Sequence, residues 1–473
     1  MSAPLRVAFV SPLPPAPSGI ADYAGELLPH LAGRLEVEVF PPPDLPPPAP
    51  GAVAGLRVRP WEELAAPDAG LPLYHLGNDR LYHGAVYRAL LARPGVLVLH
   101  EYVLHHMLRE MTLARGDAEG WVEELRYAYG RTGESLGRRS VATGVPLSPW
   151  GYPLFERAVD ASRAVIVHNE TTARRVRASR PGAWLEVVPH HVALGAAAGV
   201  DPEAARHAAR QRLGLPAEAL LVGTYGYQTP PKRLDVLLRA FARLRAVAPE
   251  ARLLVVGAVD RRVELDGLLA AGLGEGVQVV GRVDDLDEFL AWMQAVDLAV
   301  NLRWPTAGET SGTVMRLLGL GKPLVVTDAG AFAEIPAGCA ARVPPDEREE
   351  GVLVEYLRAL AQDPGLRRGL GDAARRHMAE HHSLPGSGAA YAALLERVAA
   401  AGTLPSAPVP PLAPWREGDL YTEVLAELAA EAVDLGVDET DGEVLACLAE
   451  AVVDLGLDLA AGGPQAGVGV RRR

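Results

Sequence analysis

The chain has 473 residues, more than a single hydrophobic core sustains, so at least two domains plus appendages are expected. Hydrophobic residues make up 49% and aromatic residues only 5%, with Ala, Leu, Val, Gly and Pro abundant, a balance that suits an α/β enzyme and disfavours an aromatic-rich β-sandwich. The net charge is −13, but eleven acids and no Lys or Arg fall within residues 421–459; without that segment the charge is −2, which excludes a generally basic nucleic-acid-binding or membrane-binding surface.

No stretch approaches the ~20 apolar residues that a membrane-spanning helix needs. MSAPLRVAFVSPLPP has too short an apolar run for a signal peptide and reads as a first strand, so a cytoplasmic location is expected. Cys339 and Cys447 lie far apart and offer neither a disulfide framework nor metal-ligand spacing.

In chain order, RVAFV, a proline-rich loop, IADYAGELLPHLAGRL with helical apolar spacing, and EVEVF read as strand, loop, helix and strand, the unit of a parallel sheet. PPPDLPPPAP at 41–50 is a surface loop. LPLYHLG, GVLVLHEY and AVIVHNE are further short strands, each ending in polar residues, as strands do where open α/β sheets bind ligands. Residues 102–160 form a polar, helical excursion that reads either as an ordinary connection or as a lid or acceptor-contact element.

After LEVVPHHV and an Ala-rich helical stretch, the pattern restarts. LLVGTYGY, ARLLVVGAV, VQVVGRV, DLAVNLRW and KPLVVTDAG alternate with helices such as RLDVLLRAFARLRA. The expected architecture is α/β: two doubly wound Rossmann-like domains, 1–195 and 196–402, facing a cleft, with the last helix packing back on the first domain. GTLPSAPVPPLAPW introduces a Pro-rich linker, 403–420. Within 421–473, EVLAELAAEAVDLGVD is echoed twenty residues later by EVLACLAEAVVDLGLD, which predicts an acidic helical hairpin able to bind a protein partner. DETDGE is not a calcium loop, because aligning Gly442 with that motif's glycine places Val437 and Leu448 where acids are required.

WPTAGETSGTVMRLLGLGKPLVV, at 304–326, carries one acid, small hydroxyl residues and a glycine ahead of a helix start. A helix start presents unpaired N–H groups and a positive dipole end, which attract phosphate, and Thr310, Ser311, Gly312 and Thr313 suit a diphosphate. The alternative is a capped helix whose hydroxyls satisfy its own N–H groups.

With its SPLPPAPSGIADY opening, LHE at 99–101, VGTYGYQTPPK at 222–232, and PTAGETSG followed by GKPLVVTDAG, the sequence resembles glycosyltransferase family 4 of the GT-B fold over roughly residues 5–400. The resemblance implies a retaining, metal-independent enzyme that needs no cofactor. Such an enzyme takes a sugar from a nucleotide-sugar, UDP- or GDP-linked, and delivers it to a sugar, lipid-linked or other hydroxyl acceptor. It assigns Glu309 to the donor sugar, His100 to the neighbourhood of the reacting sugar, and Lys232 to the leaving diphosphate, whose growing charge a lysine stabilises without a metal. Gly19, Gly312 and Thr313 would face the phosphates, and Arg282 and Val283 would line the nucleobase pocket. Glu334 corresponds to the glutamate of a Gly-Gly-x-x-Glu loop whose second glycine is Ala331 here.

Three departures stand out. Leu317 replaces a second glutamate that grips the ribose, Tyr227 replaces a phosphate-neutralising arginine, and His190 and His191 replace an Asn-Gly pair. Arg303 or Arg233 are the nearby guanidinium groups able to restore the lost charge. Two other readings stay open at this stage: a non-catalytic nucleotide-sugar-binding or scaffold protein, and a sugar-nucleotide epimerase on the same fold. A nicotinamide dehydrogenase is disfavoured, because the turn after RVAFV lacks Gly-x-Gly-x-x-Gly. RYAYGRTGESLGRR offers a local basic patch for weak peripheral membrane contact, against the bland reading of an exposed helix with scattered charges.

Overall fold

A computed structural model describes residues 4–53, 55–197 and 199–402. The linker at 403–420 and the acidic repeat within 421–473 lie outside the described residues.

Apolar strands that alternate with amphipathic helices must bury both sheet faces, and the described chain does so twice. The first sheet has seven parallel strands: β1 Arg6–Val10, β2 Glu36–Val39, β3 Arg57–Val58, β4 Leu71–Leu76, β5 Val96–Leu99, β6 Ala164–Val167 and β7 Leu185–Val187, in the order β3-β2-β1-β4-β5-β6-β7. The second has six: β8 Leu221–Tyr225, β9 Arg252–Val256, β10 Val277–Gly281, β11 Leu298–Asn301, β12 Leu324–Thr327 and β13 Ala341–Val343, in the order β10-β9-β8-β11-β12-β13.

Period-two alternation sends neighbouring side chains to opposite cores. In β1, Val7 and Phe9 enter one cluster while Ala8 and Val10 enter the other. In β9, Leu254 and Val256 face one side and Leu253 and Val255 the other. The helix Gly19–Ala32 starts where the Ser18 hydroxyl accepts from the Ile20 N–H, and it buries Tyr23, Leu27, Leu28 and Leu31 on the β1 face.

The excursion at 102–160 is helical, with His105–Met111, Ala118–Thr143 and Glu156–Asp160. Its long helix anchors Trp121 and Leu125 in the first core and breaks at Gly130, where φ is 61° and ψ −143°, a conformation that glycine adopts readily.

The final helix, Leu384–Ala400, returns from the second sheet to the first. Tyr391, Leu394, Leu395 and Val398 join the cluster that contains Val7, Phe9 and Leu27, and the Tyr391 hydroxyl lies 2.8 Å from that of Tyr23. Among the described residues no helix is long and apolar enough to cross a membrane.

Candidate active site

In each sheet the strand order reverses once, between β1 and β4 and between β8 and β11, and ligands bind open parallel sheets beyond the carboxyl ends of such strands. The loop after β1 leads to Gly19, and the residue after β5 is His100. The loop after β8 carries Lys232, and that after β11 carries Arg303 and Glu309, then opens the helix Gly312–Gly319.

On the second-sheet side the groups converge around Gly226. Its φ is +80°, and a Cβ there would lie 2.9 Å from Lys232 Nζ and 3.4 Å from Thr313 Oγ1. Lys232 is buried and donates to the Tyr225 carbonyl at 2.5 Å. Burial, reinforced by the Arg303 charge, holds its amine well below the usual lysine range, so an arriving anion would favour its protonated form.

Ser311 caps the helix, its hydroxyl accepting from Val314 N at 3.4 Å. The N–H groups of Gly312 and Thr313 have no partner among the described residues. Glu309 is fixed on both oxygens: Oε1 by Arg303 Nη1 at 2.8 Å, and Oε2 by Thr306 Oγ1 at 3.0 Å and Ala307 N at 2.8 Å.

Facing this, the first sheet presents histidines at the ends of successive strands: His75, His100 and His168, with His190 and His191 beyond β7. His75 Nδ1 lies 3.1 Å from His100 Nε2, and the Tyr23 ring stacks on His191 at 3.9 Å between centroids. His168 Nδ1 donates to the Val188 carbonyl, and burial lowers its pKa to about 4. Burial, followed by the charge of His168, His75 and His190, holds His100 well below its ordinary value, so the cluster is neutral near pH 7.

His75 Nε2 is buried with no partner. A bare ring nitrogen is the less costly occupant of such a place, because buried orphan N–H groups are rarer than under-satisfied acceptors. His75 therefore carries its proton on Nδ1 and donates it to His100 Nε2, which leaves His100 protonated on Nδ1. Among the described residues no group of three or more His, Cys, Asp or Glu side chains is arranged to hold a metal ion.

Glu101 follows His100 and accepts from Asn78 N at 3.0 Å. Burial and the nearby Glu309 charge push its carboxyl up to about 8, with Arg303 pulling the other way. The two sides are tied together directly. Tyr102 N donates to Ala307 O at 3.0 Å, and Asn169 Nδ2 donates to Gly308 O at 2.8 Å and Thr310 Oγ1 at 3.0 Å. Thr172 Oγ1 donates to the same Gly308 carbonyl at 2.8 Å. Gly308, at φ +78°, leaves no room for a side chain: a Cβ would come within 2.3 Å of the Tyr102 ring. Glu334 accepts from Glu170 N at 2.9 Å and from the Thr171 backbone and hydroxyl, capping the helix Glu170–Ser179.

The structure thus brings Lys232, Arg303, Glu309, Gly312 and Thr313 together, with His100 and Glu101 on the facing sheet. Gly19 opens its helix with nothing within 4 Å of where a Cβ would stand. Other expected residues are engaged elsewhere. Arg233 donates to Glu349, Tyr227 is mostly exposed and donates to Asp260 at 3.1 Å, and Arg282 pairs with Asp284 on an exposed loop beside half-buried Val283. Sequence reasoning missed His75, Glu101 and Asn169. The one available signal was that each of their strands ends in a polar residue.

Residues 217–363 match the family model described as Glycosyl transferases group 1. A D-inositol 3-phosphate glycosyltransferase from Salinispora arenicola is 32% identical over 188 residues, 37% of this chain and 41% of that protein, so the chain spans about two fifths of the length of this relative. Sucrose-phosphate synthase from Thermosynechococcus elongatus shares the fold with a TM-score of 0.60 at 18% identity, over 84% of this chain and all of that one. Anabaena Alr3699/HepE, solved with UDP and glucose, does so with a TM-score of 0.57 at 16% identity, over 83% of this chain and all of that one. Two parallel sheets with these neighbours are the GT-B fold, and residues 217–363 within the second sheet's half carry the similarity to the glycosyl transferases group 1 model.

Proposed function

We propose that the chain is a retaining, metal-independent glycosyltransferase that moves a hexose from a nucleotide-sugar to a hydroxyl acceptor. The observation that carries this reading is the convergence of the Lys232 amine, the Thr313 hydroxyl and the unpaired N–H groups of Gly312 and Thr313 beside a Glu309 carboxylate fixed on both oxygens. Donors of that kind suit a diphosphate, and a fixed carboxylate beside them suits sugar hydroxyls.

In the proposed reaction the diphosphate binds at the helix start and across Lys232. Its charge rises as the sugar–phosphate bond breaks, and preorganised donors stabilise that charge without rearranging. Glu309 orients the sugar, and His100, neutral and protonated on Nδ1, donates a hydrogen bond at the reacting sugar. The acceptor hydroxyl attacks the anomeric carbon from the face that the phosphate leaves, and its proton passes to the departing phosphate oxygen. Configuration is thereby retained with no glycosyl-enzyme intermediate and no metal.

The donor is proposed to be UDP- or GDP-linked, and the UDP bound by the HepE neighbour makes UDP-sugars the first to test. The relative named for D-inositol 3-phosphate makes a phosphorylated cyclitol the first acceptor to test. The reaction is placed in the cytoplasm, with any membrane contact weak and peripheral; flotation with anionic and neutral liposomes tests that contact.

The test of function is a thermal-shift screen of UDP-, GDP- and ADP-sugars against wild type and Glu309→Ala, followed by transfer assays with the stabilising donor. A donor that stabilises only the wild type and is then turned over with an acceptor supports the reading. Stabilisation without transfer or hydrolysis returns the chain to the class of binding proteins, and an isomeric sugar-nucleotide released without acceptor makes it an epimerase.

A further inference from the structure

The chain lacks the arginine that the family resemblance places at Tyr227, and Arg233 is taken by Glu349 and Arg303 by Glu309. A different guanidinium lies against the helix start. Arg316 is one turn into the helix Gly312–Gly319, and helical side chains lean toward the N-terminus of their own helix. Its Nη1 accordingly stands 3.1 Å from where a Cβ on Gly312 would be.

The Arg316 side chain is 9% exposed. Nη2 donates to Glu26 Oε1 at 2.5 Å, Nε is buried with no partner, and Nη1 has no hydrogen-bond partner among the described residues. The buried Nε left without a partner is costly, and that cost is offset when an anion takes it together with the open Nη1. Its surroundings are not strongly acidic. Asp22 and Glu26 come from the Gly19 helix, both carboxyls being raised by burial, and His190 and His191 are held neutral by burial.

We propose that Arg316 is the second cation of the donor diphosphate site, held by Glu26 and taking over the charge that Tyr227 cannot supply. This rests on the glycosyltransferase reading and assigns a residue within it. The N–H groups of Gly312 and Thr313 are then bracketed by two cations: Lys232 on the Thr313 side, and Arg316 on the Gly312 side, where the missing Cβ lets guanidinium and phosphate approach the same backbone. Because Glu26 belongs to the first sheet's helix and Arg316 to the second's, phosphate competes with an interdomain contact for the guanidinium.

Inorganic pyrophosphate and a nucleotide-sugar found to stabilise the wild type are the probes, titrated calorimetrically into full-length wild type, Arg316→Gln and Glu26→Gln. Arg316→Gln is expected to weaken pyrophosphate about tenfold or more, the loss of one charge-assisted hydrogen bond. Glu26→Gln, which removes the competitor, is expected to bind as tightly as wild type or tighter. Both variants break the same ion pair, so equal losses in the two would mean that Arg316 acts only through that pair and would overturn the proposal. Should Arg316→Gln unfold by circular dichroism, Arg316→Lys takes its place, with weaker pyrophosphate binding expected and unchanged binding overturning the assignment. A wild type that binds pyrophosphate as well as Arg316→Gln does sinks this inference alone. A wild type that binds neither pyrophosphate nor any nucleotide-sugar sinks the functional reading with it.

Discussion

Arg303 Nη1 and Glu309 Oε1 are 2.8 Å apart, and this pair fixes the only acid of the 304–311 loop. Arg303→Met removes one of the three contacts on that carboxylate while leaving Thr306 and Ala307 in place. Turnover is expected to fall by about tenfold to a hundredfold, the range for disturbing a positioned polar group, with donor KM little changed. A variant whose loss falls wholly in donor KM would show that Arg303 contacts the phosphates instead.

His75 sets the tautomer of His100, so a ring of similar size without nitrogen, His75→Phe, releases that control. Imidazole nitrogen NMR is expected to show His100 as a single Nδ1-protonated form in wild type and as a mixture in the variant. Turnover should fall with the lost population. A mixed wild-type signal would remove the basis of this expectation.

Glu101 gives the site a pH dependence of definite sign. Its folded pKa of about 8 exceeds the ordinary carboxyl value of 4.5, so between those limits the folded chain binds more protons than the unfolded chain. Stability from this group is complete below pH 4.5 and is lost as pH rises through 8. Glu101→Gln should therefore exceed wild type at pH 9 by at least about 1 kcal/mol, the worth of a single pKa unit, and match it near pH 4. The alkaline fall in donor binding, caused by a second carboxylate ionising beside Glu309, should vanish in the variant.

Lys232 works in the opposite sense. Its amine is depressed by burial, so the unfolded chain binds the extra proton between the folded value and 10.5, and stability rises with pH across that window. Lys232→Met should be more stable than wild type at neutral pH, the gain shrinking toward pH 10.5, while donor binding is lost. Calorimetric titration of pyrophosphate should show binding by wild type and none by the variant.

The strands, their parallel alternation with helices, and the split into two sheets were legible because hydrophobic periodicity is a local property. The Glu309 loop and the Gly312 helix start were legible for the same reason, aided by an ordered set of motifs. Pairings across long sequence separations were not: His75 with His100, Asn169 with Gly308 and Arg316 with Glu26 join residues 25, 139 and 290 apart. Nothing in the local pattern of either partner announces them. Leu317 is instructive, since the sequence marks it only as a departure from a glutamate, whereas its side chain is fully buried among Val314, Leu318 and Val326. Leu317→Glu is therefore expected to cost at least about 3 kcal/mol in denaturant unfolding at pH 8, from burying a carboxyl without partners, and to restore no ribose contact. A stable variant with tighter nucleoside binding would contradict this.

The return of Leu384–Ala400 to the first sheet means that the chain crosses between the two halves twice, after β7 and again before Leu384. Motion between the halves is thereby confined to bending about a line through both crossings, because a swivel about either one alone would tear the helix from its seat against Tyr23 and Leu27. It also sets the rule for exchanging the first half with that of a relative. A transplant of the first half alone would leave the donor's Val7, Phe9 and Leu27 facing a foreign helix, so a working chimera must carry residues 384–402 along with the N-terminal segment.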